Sequence, residues 1–168
     1  MCDALRILGL DPGLAILGYG VVDREPGGIY RVVDYGCIYT EAHTPFASRL
    51  LKIERGVHAL CEKFHPDAIA IEELFFARNV TTAIMVAQAR GVALAAAAHN
   101  TDELYEYTPL QVKQAVVGYG RADKAQVQEM TRLILDLKTI PKPDDAADAL
   151  AIAICHGNSA DMPSQTHI

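Results

Sequence analysis

The chain has no tryptophan, and its four cysteines among 168 residues stand apart, with no Cys-x-x-Cys pair. That removes the paired-thiol signature of a redox or metal motif. Cys2, Cys37, Cys61 and Cys155 are predicted to be reduced, because the first residues do not combine basic, apolar and cleavage segments of a secretion signal. Long apolar runs are also missing. The longest strongly apolar stretch, Val92 to Ala98, is far short of a membrane span, so no membrane partner is expected and the cytoplasm is the expected compartment. Basic charge is in deficit as well. A net charge of −6 argues against a nucleic-acid partner, but local charge counts for more than the total. Between Thr108 and Gln128 the chain carries Lys113, Arg121 and Lys124 against the single acid Asp123.

With 51% hydrophobic and 21% charged residues, the chain reads as globular and not disordered, and its length favours one domain. Residues 1–157 are expected to form it, with 158–168 a disordered tail. Arg6 to Leu10, Gly18 to Val22 and Tyr30 to Tyr39 read as an antiparallel meander, joined by Asp11-Pro12-Gly13 and Arg24-Glu25-Pro26-Gly27-Gly28 turns. Phe46, Leu50, Ile53, Val57, Leu60 and Phe64 step by three and four, which predicts a helix that His65-Pro66 stops. Ala68 to Ile71 is apolar on both faces, as a central strand is. Thr81 to Ala98 predicts an alanine-rich helix in which Gly91 permits a close backbone approach. Glu103 to Tyr107 is a fifth strand. Thr108-Pro109-Leu110-Gln111 and Asp123 are helix starts, and a last helix is expected from Asp145 to Cys155. The order predicts an α/β fold: a mixed five-stranded sheet with helices on both faces.

Against this apolar frame four carboxylates stand out. Asp11 ends the run Ile7-Leu8-Gly9-Leu10, and Glu72 ends Ala68-Ile69-Ala70-Ile71. Asp145 and Asp148 are three apart in the final helix, so their side chains are neighbours. Taken alone, Asp11 is an ordinary turn residue and Asp144 or Asp145 an ordinary helix cap. Capping does not explain Asp148 inside an apolar helix face, and glutamate is depleted in central strands. Alternation does not decide between Glu72 and Glu73. If the three segments pack together, the acids converge. Two carboxylates about 6 Å apart repel by roughly 3 kcal/mol at an effective dielectric near 20. Such a cluster needs a proton or a cation, and oxygen ligands select Mg²⁺ or Mn²⁺.

Several longer motifs run through the chain: Leu8-Gly9-Leu10-Asp11-Pro12-Gly13, Ala70-Ile71-Glu72-Glu73, Gln88-Ala89-Arg90-Gly91-Val92, Gln111-Val112-Lys113-Gln114 with Val117-Gly118, and Asp145-Ala146-Ala147-Asp148-Ala149-Leu150-Ala151. With them the sequence resembles the RuvC family of Holliday-junction resolvases, a branch of the ribonuclease H-like nucleases, from Ile7 to about His156. The resemblance implies that Asp11, Glu72, Asp145 and Asp148 are catalytic, metal-binding acids, and it selects Glu72 over Glu73. It implies that Phe75 inserts among bases at the junction centre and that Lys113 and Lys124 lie near the scissile phosphate. It further implies a homodimer that resolves four-way junction DNA by paired, symmetric cuts in recombination and repair. Two Mg²⁺ per active site, replaceable by Mn²⁺, and a branch-migration motor as partner follow from the same resemblance. The rivals are another ribonuclease H-like nuclease acting on RNA or other branched DNA, and a non-catalytic junction-binding scaffold. A two-lobed actin-like or sugar-kinase fold needs a longer chain.

Overall fold

The computed structural model describes residues 4–74, 80–160 and 166–168. The elements follow in the order β1 (Leu5–Asp11), β2 (Ile16–Arg24), β3 (Tyr30–Tyr39), α1 (Phe46–Phe64), β4 (Ala68–Glu72), α2 (Val80–Ala98), β5 (Leu104–Tyr107), α3 (Pro109–Val117), α4 (Lys124–Ile134), α5 (Asp144–Ser159) and β6 (Thr166–His167). The five expected strands form one mixed sheet in the order β3-β2-β1-β4-β5, extended at the β5 edge by the two-residue β6. β1, β2 and β3 form the antiparallel meander, whereas β1, β4 and β5 run parallel. Two residues carry no periodic signal, so β6 was not legible in the sequence. It forms because an edge strand offers unpaired backbone groups. Tyr105 pairs with His167, the Ile168 N–H donates to the Leu104 carbonyl at 3.0 Å, and the His167 ring packs edge-on against Tyr105.

Strand alternation divides the core in two. Leu8, Leu10, Leu17, Val21, Ile69 and Ile71 face α1 and α2 and meet Ile53, Val57, Leu60, Ala89, Ala93 and Ala97. Ile7, Val22, Ala70 and Tyr107 face the other way, towards α3, α4 and α5. On this second face the sheet is floored with glycine. A Cβ on Gly9 would stand 2.1 Å from the Ala149 carbonyl oxygen, one on Gly18 2.1 Å from that of Asp145, and one on Gly20 2.8 Å from the Leu150 side chain. α5 therefore lies with its backbone against the sheet, its Ala146, Ala147, Ala149 and Ala153 buried. Leu150, Ile152 and Ile154 are likewise no more than 1% exposed. Each such aliphatic side chain contributes about 1.5–3 kcal/mol on burial.

Helix termini follow the expected chemistry where that chemistry was legible. Thr108 with Gln111 and Asp123 with Gln126 form full capping boxes at α3 and α4. α5 differs: Pro143 is its N-cap and no side chain caps it, so neither Asp144 nor Asp145 has that duty. One expectation for α2 is corrected. Gly91 meets no backbone, since an added Cβ finds nothing within 4 Å among the described residues. The window Thr81–Ala98 is long and apolar enough, by length and composition alone, to cross a membrane. Eight alanines together with Ile84, Met85, Val86, Val92 and Leu94 carry that property, without one unbroken aliphatic run.

Candidate active site

β1 and β4 are adjacent and parallel, with Leu10 opposite Ile71, so Asp11 and Glu72 emerge together at the carboxyl ends of the two central strands. That edge is where open α/β sheets build their sites. Alternation puts both acids on the glycine-floored face: Asp11 follows Ile7 and Gly9, and Glu72 follows Ala70. The register thus decides between Glu72 and Glu73. Asp11 lies opposite Gly18, and Gly18 opposite Cys37. Because Gly18 has no side chain, the first turn of α5 settles between Asp11 and Cys37. This delivers Asp145, and one turn on Asp148, to the same edge. The structure therefore brings all four sequence-predicted acids into one neighbourhood.

The electrostatics record that proximity. Burial, and then the charges of Glu72, Asp148 and Asp145, push the Asp11 carboxyl up to about 8. Glu72 is raised by burial and by Asp148, against the pull of Lys124 and Lys113. Asp148 is raised by burial, against a hydrogen bond from Lys124. The cluster is short of positive charge. The Lys124 ammonium donates to Asp148 at 2.9 Å and lies 3.6 Å from Asp144, while Lys142 also pairs with Asp144 at 2.8 Å. Among the described residues no three His, Cys, Asp or Glu side chains stand close enough to enclose an ion as they are placed. The donors nevertheless fit a hard divalent cation in kind, being carboxylate oxygens in an electron-rich, half-buried setting.

The two predicted lysines join the acids. Glu72, Asp148, Lys113 and Lys124 line one cavity of about 180 Å³ together with Pro109, Val112, Val127 and Ala151. Lys113 comes from α3 and Lys124 is the first residue of α4, so the two capping boxes fix where both begin. Phe75 lies outside the described residues.

Sequence reasoning missed two contributors. Arg90 donates from Nε to the Glu72 carbonyl at 3.1 Å and pairs with Glu106 on β5, so it braces the strand end that carries Glu72. It stood in a quoted motif, but nothing there pointed to a role. Cys37 lies in the row of Asp11 and Gly18. Burial and the charge of Asp145 push its thiol up to about 11, which keeps it neutral beside the acids. Only strand register places it, and register is not visible in a lone cysteine.

The family model described as crossover junction endodeoxyribonuclease RuvC matches residues 7–156. The chain is 59% identical over 156 residues to a crossover junction endodeoxyribonuclease RuvC of Ruminiclostridium cellulolyticum, with 93% of each covered. Its fold superposes on Thermus thermophilus RuvC with a TM-score of 0.90 at 38% identity, covering 98% of this chain and 100% of the other. It also superposes on T. thermophilus RuvC in complex with Holliday junction substrate, with a TM-score of 0.89 at 36% identity and the same coverage.

Proposed function

The chain belongs to the RuvC family of crossover junction endodeoxyribonucleases, and on that premise we propose that its acidic cluster hydrolyses phosphodiesters of four-way junction DNA in recombination and repair. The observation that carries the reading is the convergence of Asp11, Glu72, Asp145 and Asp148 on one sheet edge, with the Asp11 carboxyl pushed up to about 8 by burial and by the other three. A site so short of positive charge attracts a cation. Asp11, Glu72, Asp145 and Asp148 would hold two Mg²⁺, with Mn²⁺ able to replace them. Bound there, such ions supply a water of lowered pKa and stabilise the leaving oxygen.

The other roles belong to side chains. Lys113 and Lys124 flank Glu72 and Asp148 and offset charge on the phosphate as it is attacked. Lys124 is held by Asp148, so a phosphate arriving beside the acids meets an ammonium already at hand. Arg90 keeps the backbone of Glu72 in place. Phe75 stacks among the bases of the open junction centre. One small domain with one acidic cluster holds one scissile phosphate at a time, so paired cuts need two subunits, joined most simply by a two-fold axis. The α2 face suits that contact. Ile84, Gln88, Gly91, Ala95 and Ala98 are exposed along one side of it, beside an apolar groove formed with Ala47, Leu50 and Leu51. The dimer works in the cytoplasm alongside a branch-migration motor.

The test is cleavage of a labelled four-way junction, a linear duplex and an RNA–DNA hybrid, each with and without Mg²⁺. Paired, symmetric incisions in the junction alone, dependent on the metal, are expected. Preferential cutting of the hybrid would assign the site to RNA, and metal-independent binding without any cutting would make the chain a scaffold.

A further inference from the structure

A second cavity touches the acidic cluster from the side away from the lysines. It measures about 400 Å³ and is lined by Gly13, Leu14, Ile16, Arg49, Met85 and Val86, among others, with Asp145 at its border. Its walls come from the β1–β2 turn, the first turn of α1 and the start of α2. They are apolar except for Arg49, Asp145 and Thr82. The lysine-lined cavity, in contrast, lies between α3, α4 and α5 and shares Glu72 and Asp148. The acids thus sit between two hollows, one carrying two ammonium groups and the other a single guanidinium.

Arg49 is held in an unusual way. Its Nε donates to the Thr40 hydroxyl oxygen at 2.9 Å. That hydroxyl in turn donates to the Leu14 carbonyl at 2.5 Å, and the Thr40 N–H donates to the Ala15 carbonyl at 2.9 Å. Thr40 is buried, and the guanidinium is fixed in direction by its inner nitrogen alone. Among the described residues no carboxylate pairs with Arg49 and nothing accepts from its two terminal amino groups. Other half-buried arginines of the chain are neutralised: Arg6 by Asp23, Arg90 by Glu106 and Arg132 by Glu129. An arginine that is pre-oriented, half-buried and without a counter-ion, in a cavity that borders a carboxylate of the catalytic cluster, is arranged for an anion from outside. A guanidinium fork suits a phosphate, which it can grip with two parallel hydrogen bonds. The apolar walls, Leu14, Ile16, Met85 and Val86, suit a deoxyribose or a base.

Resting on the nuclease reading above, we propose that this cavity seats the nucleotide next to the scissile phosphate on the side away from Lys113 and Lys124, with Arg49 binding its phosphate. The strand being cut is then gripped on both sides of the acids. The lysines hold it over Glu72 and Asp148, and Arg49 holds it beyond Asp145. A single nucleotide fits a hollow of this size, near the lower end of the range for small-molecule sites.

The experiment uses the full chain and a labelled four-way junction. In an Asp11→Asn background, which holds the junction uncut, binding is measured over a range of salt. Arg49→Gln is expected to weaken binding about five- to tenfold near 0.1 M salt. The slope of log K against log salt should flatten by roughly 0.7–0.9, the loss of one phosphate contact. Arg49→Lys should keep the slope. Single phosphates around the cut are then replaced by neutral methylphosphonates. One position next to the cut should slow cleavage by the wild-type chain, and the same replacement should have no further effect on Arg49→Gln. An unchanged slope, or a methylphosphonate effect of equal size in both chains, would overturn the proposal and leave Arg49 as a brace for the Thr40–Leu14 turn. Thr40→Val separates the two roles, since it removes the brace and keeps the cation, so the full salt slope should survive in it. If Arg49→Gln does not fold, the methylphosphonate scan on the wild-type chain decides, and the absence of any sensitive neighbouring phosphate overturns the idea. Should the Asp11→Asn chain fail to prefer a junction over a duplex, the nuclease reading fails instead.

Discussion

The two faces of the sheet solve the same packing problem with opposite means. Towards α1 and α2 the sheet presents leucine, isoleucine and valine, and helices and strands are held apart by side chains that can repack. Towards α5 it presents Gly9, Gly18 and Gly20, and the helix backbone rests on the strand backbone. Side chains can rotate and backbones cannot. The face that tolerates adjustment carries no acid of the site, and the rigid face carries all four. Placement of Asp145 and Asp148 relative to Asp11 is thus a matter of main chain meeting main chain.

The most damaging way to break this contrast is Gly18→Val. Its Cβ would stand 2.1 Å from the Asp145 carbonyl oxygen, so α5 cannot dock, and the loss of cooperative unfolding by circular dichroism is expected. Leu10→Ala on the other face should cost about 2–5 kcal/mol yet leave junction cutting measurable in the folded fraction. A Gly18→Val chain that folds and cuts normally would end the argument from backbone contact.

Next in size are the acids. Asp11→Asn, Glu72→Gln, Asp145→Asn and Asp148→Asn should each abolish cleavage in a gel assay and leave junction binding intact, with Glu73→Gln milder. A Glu73 variant as inactive as Glu72→Gln would show that register has misidentified the acid.

The adjustable face can be probed through α2. Ile84→Asp combined with Ala95→Glu should shift the chain to a monomer in sedimentation, with little change in melting temperature. Junctions should then be nicked on one strand at a time. A dimer that survives both charges must use another surface.

The last expected effect is thermal. Folded Asp11 titrates near 8 instead of its ordinary 3.8, so it binds a proton more tightly folded than unfolded. Stability without metal should fall as pH rises from about 4 to 8, and a residue that does not titrate removes that loss. Asp11→Asn should accordingly melt higher than wild type at pH 8 in the presence of a chelator, and about the same at pH 4. A chain of this length gains about 2–4 °C per kcal/mol. Equal melting temperatures across the range would mean that the cluster is not short of positive charge.

Much of this is legible in the sequence alone. Strands, helices and capping boxes follow from local periodicity and turn chemistry, as at Thr108 and Asp123. The acids were visible because each breaks an apolar run. What stayed hidden depends on register and on distant partners. The choice of Glu72 over Glu73 came from the resemblance and not from alternation, and the register of β4 on β1 supplies its physical reason. The brace formed by Arg90 joins α2 to the ends of β4 and β5, and an arginine on a helix looks the same whether it faces water or a strand end. Gly9, Gly18 and Gly20 read only as members of strands, with no sign of what packs on them. Only the approach of α5, made of residues more than a hundred positions away, gives them their purpose.

That separation has a consequence for the order in which the molecule comes into being. Asp11 and Glu72 belong to strands made early, whereas Asp145 and Asp148 arrive with α5 among the final residues. Contacts so distant in sequence form late, and chains emerge from synthesis N-terminus first. A growing or truncated chain that stops before residue 144 has half of its carboxylates and an uncovered glycine floor. If the four acids cut DNA as proposed, the site comes into existence only when α5 docks, and a fragment left by interrupted translation holds no complete set of them.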